Sequence, residues 1–249
     1  MSDKVEEVQE DNRCSTITLF GNLDSESTSK VRGMVLQDFE MKGIRAFEFH
    51  VGTGGGAMAS AQGLTDYIRT LHDIKGTVIL SGLCCSAGWN FLTLGLTTLA
   101  YPNTLFMNHS GSYEVNGTAK VIANNTLGYE RASAEADQLL IDKAGLNKKE
   151  YEELHCSGDK YFLGIDALWY GTQGLVDGLI MKDLGSTGWI VLTREGLKYW
   201  SSAMDGGLAE RTLLTDEQLE EYGLKQYIPT RPKQPKPQPS GSDLVTFRS

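Results

Sequence analysis

Ser86 sits in the stretch "SGLCCSAGWNF" (81–91), behind one apolar run and ahead of another. A serine hydroxyl attacks a carbonyl only where one group takes its proton and another holds the oxyanion that forms. A serine at the junction of a strand and a helix meets the second need. First-turn N–H groups point outward there, and the helix dipole favours negative charge. The small neighbours Gly82, Cys84, Cys85, Ala87 and Gly88 let backbone and substrate approach closely. On this stretch alone, an incidental serine in a tightly packed helix is the simpler reading. Cys84 and Cys85 also carry nucleophilic atoms, but thiols embedded in apolar sequence are usually inert.

A second stretch, "GTGGGAMAS", lies between a strand and a helix. Its glycines allow positive φ and expose backbone N–H groups, which suits an anion or oxyanion site and equally suits a plain tight turn. No Gly-Lys-Ser/Thr follows, so it is not a phosphate loop, and Ala57 fills the last glycine slot of a dinucleotide fingerprint. Four histidines are available. His72 lies beside Asp73 on a helix. His155 ends a helix, where it suits the dipole. His50 closes a strand before the glycine loop. His109 closes "TLFMNH", at the level of a sheet where ligands gather in α/β folds. A histidine there is as often structural as a base. Asp159 is a loop carboxylate in "CSGDKYF"; loop aspartates are usually turn formers.

The elements that must hold these side chains are legible from periodicity. "STITLFG" (15–21), "RAFEFHV" (45–51) and "GTVILSG" (76–82) read as strands, and "LAYPNTLFMNHSG" gives two short ones. Helices are expected over 26–42, through "GLTDYIRTL" and from Ser86 onward. This alternation puts helices over a mostly parallel sheet, an α/β fold. A small hairpin is expected at 111–119, then a long helix over 119–144. Its apolar positions Tyr129, Ala132, Ala136, Leu139 and Leu140 fall near one face, and Gly145 stops it. Asn147 and Glu150 form a capping-box pattern for the next helix, and Thr215 caps a short one at 215–223. Five of the six prolines fall in 229–240, a polyproline-like tail.

Composition limits the partners. The 249 residues include 40% hydrophobic ones, enough for a substantial core, and the net charge is −9. Nucleic acid or an anionic membrane needs a basic face, so neither is expected as the main partner. The opening "MSDKVEEVQEDNRC" is polar and acidic, unlike a secretion signal. Four cysteines, Cys14, Cys84, Cys85 and Cys156, contain no C-x-x-C pair to grip zinc. Reduced thiols in a cytoplasmic location are expected, with no cofactor and no metal.

Order and spacing together resemble the proteolytic subunit of the Clp protease, and more closely the divergent Clp-type peptidases of bacteriophages and prophages. Gly55-Gly56 matches the family's oxyanion loop, and Gly82 to Gly88 its G-x-x-x-S-x-G turn. His109 matches its strand-ending histidine after a proline, and Asp159 its aspartate before an alanine-containing helix running to Gly-Leu-Val-Asp. Ala87 stands where methionine is common, and Gly54 where the family has proline. The resemblance spans about residues 15–180. It implies a Clp-protease/crotonase-type spiral of ββα units with a protruding handle helix at roughly 119–145. It implies a serine endopeptidase working through an acyl-enzyme: Ser86 as nucleophile, His109 as base, Asp159 orienting the imidazole, and the Gly56 and Ala87 N–H groups holding the oxyanion. It further implies a polypeptide substrate, a homo-oligomer of stacked rings, and an AAA+ unfoldase or phage capsid proteins as partners.

The expected organisation is a disordered N-terminus (1–14), a peptidase domain (15–183), an extension with short helices (184–227) and a proline-rich flexible tail (228–249). Two other readings compete. A crotonase-type acyl-CoA hydratase or isomerase shares the spiral and the paired N–H groups but needs no serine. A ring-forming scaffold without catalysis needs none of the three side chains.

Overall fold

Asp24 starts the first helix by a reciprocal cap. Its carboxylate accepts from Ser27 N–H at 2.8 Å, and the Ser27 hydroxyl accepts from Asp24 N–H at 3.0 Å. That cap separates strand β1 (Cys14–Phe20), whose side chains alternate inward and outward, from α1 (Ser25–Leu36). A computed structural model describes residues 14–109, 116–155, 158–201 and 211–225. After α1 the chain loosens into a π-helical turn (Gln37–Met41), then forms β2 (Ala46–Thr53), α2 (Met58–Thr70) and β3 (Lys75–Cys85). A 3-10 helix (Ser86–Thr93) follows, then β4 (Thr97–Ala100), β5 (Leu105–Asn108), α3 (Ala119–Ala144), α4 (Lys148–Leu154), β6 (Lys160–Leu163) and α5 (Gly164–Trp169). Strands β7 (Gly178–Asp183), β8 (Gly188–Thr193), β9 (Gly196–Ser201) and β10 (Arg211–Leu213) and helix α6 (Asp216–Glu221) complete the described chain.

These strands make one sheet in the order β1-β2-β3-β4-β7-β8-β9-β10, with β5 branching from β3 and carrying β6. Pairing is parallel from β1 to β7 and between β3 and β5. It is antiparallel between β5 and β6 and from β7 onward. The fold is α/β. Strand alternation splits the buried apolar residues between two faces. Val78, Leu80, Ala100, Leu179 and Ile190 join the main core with the helices, while Ile79, Leu99, Ile180, Trp189, Val191 and Trp200 form a second cluster.

Strand β3 positions the site. Its first part, Thr77–Leu80, pairs with β4, and its last part, Leu83–Cys85, pairs with β5. Between them Gly82 has φ +68°, a left-handed bend that glycine adopts without penalty. The strand expected at 76–82 therefore runs on to Cys85. The helix expected from Ser86 is a 3-10 helix: the Asn90 side-chain amide donates to Ala87 C=O at 2.9 Å, a local bond that competes with a regular ladder.

Helix α3 ends at Gly145 with φ +62°. Within it only Leu140 and Ala144 are buried; of the expected apolar face, Leu140 is covered, Ala132 and Ala136 are half-buried, and Tyr129 and Leu139 are 49% and 37% exposed, so the face is partly covered in the single chain. Both halves of the Asn147–Glu150 capping box form, and Thr215 caps α6. Among the described residues of the extension expected at 184–227, a 3-10 turn (Gly185–Thr187) and α6 accompany strands β8 to β10, which continue the sheet. Aromatic and β-branched residues in "GWIVLT" and "GLKYWS" favour strand pairing there. Arg194, in the β8–β9 turn, donates to the carbonyls of Leu168, Tyr170, Gly171 and Thr172 and lies over the Trp169 ring. This fastens the hairpin to the end of α5. The segments 1–13 and 226–249, Cys156 and most of the hairpin expected at 111–119 lie outside the described residues.

Candidate active site

Ser86 leaves β3 with φ +51°, one of two non-glycine residues among those described with positive φ. A left-handed conformation costs a residue with a Cβ about 1–2 kcal/mol, so packing around it must impose the turn. Cys85 before it is extended, at φ −118° and ψ 148°. The chain thus swings from strand to helix within one residue and projects the serine Oγ at the junction.

Packing that holds the turn is close. Gly55 faces Ser86: a methyl group on Gly55 would sit 2.7 Å from Ser86 Cβ. Gly88 faces Thr53, where a methyl would sit 2.6 Å from Thr53 Cγ2. The Trp89 indole N–H donates to Cys84 C=O at 2.9 Å, tying the helix back onto the strand.

His109 Nε2 lies 2.7 Å from Ser86 Oγ. With the proton on Nδ1, the serine hydroxyl donates to Nε2. Both residues are half-buried. The parallel register of β3 and β5, which pairs Cys85 with Met107, produces this proximity by bringing the two strand ends to one level.

Asp159 is exposed and accepts from the Tyr161 hydroxyl at 3.1 Å; among the described residues no hydrogen bond joins it to His109. The backbone nevertheless sets it nearby. In the antiparallel β5–β6 ladder Asn108 pairs with Lys160, so one further step places His109 opposite Asp159. Directly opposite residues share a face at Cα separations near 4.5–5.5 Å in regular pairing.

One aromatic cluster supports all three positions. Trp89 follows Ser86 by three residues, Phe106 precedes His109 by three, and Phe162 follows Asp159 by three. Trp89 meets Phe106 and Phe162 edge-on at 6.4 and 5.7 Å, and the two phenylalanines stack at 5.6 Å. Each such pair adds about 0.5–1.5 kcal/mol beyond burial, so the segments behind the site are mutually braced.

The glycine turn lies across from the serine. Gly55 and Gly56 have φ +103° and +146°. Gly55 N–H donates to Thr53 Oγ1 at 3.0 Å, and Gly55 C=O accepts from Leu23 N–H at 2.9 Å. Ala57 N–H donates to Leu23 C=O at 2.7 Å. Among the described residues, none accepts from Gly56 N–H. Ala87 is the second residue of the 3-10 helix, where a backbone N–H has no partner within the helix. Two amide donors therefore flank the Ser86 turn.

The remaining candidates are employed elsewhere. Cys84 and Cys85 are buried, and burial pushes both thiols up. His50 lies 3.5 Å from Glu48 on β2, and His72, expected on a helix, is exposed in the turn that follows α2. His155 lies 3.5 Å from Asp137 of α3 and 3.3 Å from the Asn108 amide; burial holds its pKa below the ordinary value. Thr53, Tyr161 and the aromatic trio carry no motif of their own, and only the folded geometry singles them out.

The protein-family model described as Clp protease matches residues 4–183. No curated protein matches the chain.

Proposed function

The chain belongs to the Clp protease family of peptidases, and we propose that it acts as a serine endopeptidase through an acyl-enzyme. The 2.7 Å approach of His109 Nε2 to Ser86 Oγ carries this reading. In the proposed mechanism the Ser86 oxygen attacks the scissile carbonyl while His109 takes its proton. The carbonyl oxygen becomes an oxyanion between the N–H groups of Gly56 and Ala87. His109 then gives the proton to the leaving amine, and an acyl-Ser86 ester remains. A water, deprotonated by His109, hydrolyses the ester and restores the hydroxyl. Asp159 orients the imidazole and stabilises its charged form once its carboxylate turns from Tyr161 toward His109, which the strand register supports.

A homo-oligomer is part of the proposal. The apolar side chains Val121, Ile122, Leu127 and Tyr129 of α3 are 39–49% exposed, which supports packing against a second copy. The polypeptide substrate, an AAA+ unfoldase or phage capsid partner and a cytoplasmic setting follow from family likeness. No helix among the described residues is long and apolar enough to cross a membrane.

The decisive experiment is treatment of the assembled protein with a fluorophosphonate probe, followed by peptide mapping. Label on Ser86, lost in Ser86→Ala together with cleavage of an unfolded substrate, is expected. Acyl-CoA binding without label would favour the crotonase-type reading. Rings that neither label nor cleave would favour the scaffold.

A further inference from the structure

We propose that Thr53 is a positioning residue that sets the spacing between the two amide donors assigned to Gly56 and Ala87; this rests on the peptidase reading above. Thr53 is the last residue of β2 and is 1% exposed. Its two branches do different work. Oγ1 accepts from Gly55 N–H at 3.0 Å and donates to Gly55 C=O at 3.4 Å. Cγ2 packs against Gly88, one residue beyond Ala87, with no room for a Cβ between them. One buried side chain therefore touches the segments carrying both donors.

The hydroxyl also selects which amide faces a substrate. With Gly55 N–H on Thr53 Oγ1 and Ala57 N–H on Leu23 C=O, the Gly56 N–H between them has no acceptor among the described residues. A freed Gly55 N–H would need another acceptor, and the turn would relax toward one. The β2–β3 ladder shifts register between Val51 and Thr53, ends at the Thr53–Cys84 pair and does not reach Gly55. A side-chain bond supplies what the ladder does not. Preorganised donors act by being in place before charge develops, so a small displacement lowers turnover without weakening substrate binding.

Thr53→Val removes the hydroxyl and keeps both branches, whereas Thr53→Ser keeps the hydroxyl and removes the methyl. Rates are normalised to fluorophosphonate-reactive sites, so loss of folded protein does not register as loss of kcat. Thr53→Val is expected to lower kcat about 10-fold with KM within twofold, the effect of one lost hydrogen bond. The inhibition constant of a peptide aldehyde, which forms a tetrahedral adduct with the serine, should rise by the same factor. Thr53→Ser is expected to stay within about threefold of wild type. If Thr53→Val does not fold, Thr53→Ala against Thr53→Ser gives the same comparison: a tenfold gap supports the role, and equality overturns it. Thr53→Val with unchanged kcat, or falling equally with Thr53→Ser, also overturns it. Wild-type protein that neither labels nor cleaves sinks the peptidase reading instead.

Discussion

Gly55 and Ser86 meet with no space for a side chain between them: a methyl on Gly55 would lie 2.7 Å from Ser86 Cβ and 2.9 Å from Cys85 C=O. Gly55 also holds φ +103°, which a residue with a Cβ rarely adopts. Gly55→Ala should therefore displace the Ser86 turn rather than merely crowd it. A loss of kcat/KM of about 10² or more is expected, the scale of a misplaced oxyanion donor. The unfolding free energy from urea titration should fall by only about 1–3 kcal/mol, the cost of one strained residue. Retained activity in a folded variant would count against Ser86 as the reacting group.

The β5–β6 register gives a second test. Asp159→Asn keeps the shape and removes the charge that would stabilise a protonated His109. A fall in kcat of about 10³–10⁴ is expected for the assembled protein, with fluorophosphonate labelling of Ser86 slowed in parallel. An unchanged rate would mean that His109 works without Asp159.

The cysteines beside Ser86 should be chemical bystanders. Burial pushes Cys84 and Cys85 up, and Cys14 up to about 12, so little thiolate exists at neutral pH. Iodoacetamide at pH 7.5 should leave Cys84 unmodified in the native protein and leave fluorophosphonate labelling unchanged. Inactivation traced to Cys84 or Cys85 would transfer the nucleophile's role to a thiol.

His155 should give stability a pH dependence. Burial lowers its folded pKa below that of the unfolded chain, and the nearby Asp137 opposes this only in part. The unfolded chain then binds the proton first as pH falls, so stability is full well above the ordinary histidine pKa and declines as pH drops below about 6.5. Urea midpoints at pH 7.5 and 5.5 should separate more for the wild type than for His155→Gln. Equal separations would show that His155 titrates alike in both states.

Arg194 should matter to α5 although it lies outside residues 4–183. It satisfies four carbonyls at and beyond the end of that helix. Arg194→Ala leaves them to water and removes the contact with Trp169. A loss of about 2–3 kcal/mol by denaturant titration is expected, the cost of breaking charged, partly buried hydrogen bonds. A loss below about 0.5 kcal/mol would show that the hairpin holds without this fastening.

Much of this molecule is written locally. Alternating burial in "STITLFG", the Asn147–Glu150 cap, the Gly145 stop and the bounds of α3 depend on near neighbours in sequence, so pattern reading finds them. So do the order of the glycine loop, Ser86, His109 and Asp159, because each sits where one element ends and the next begins. Distance along the chain is what pattern cannot cross. That β3 bends at Gly82 and changes partner, bringing His109 to Ser86, is set by pairing between strands about twenty residues apart. That Asp159 rests on Tyr161, that Thr53 touches both donor segments, and that residues beyond 184 extend the sheet were decided by packing, since a side chain's partners depend on surfaces present only once the sheet has closed.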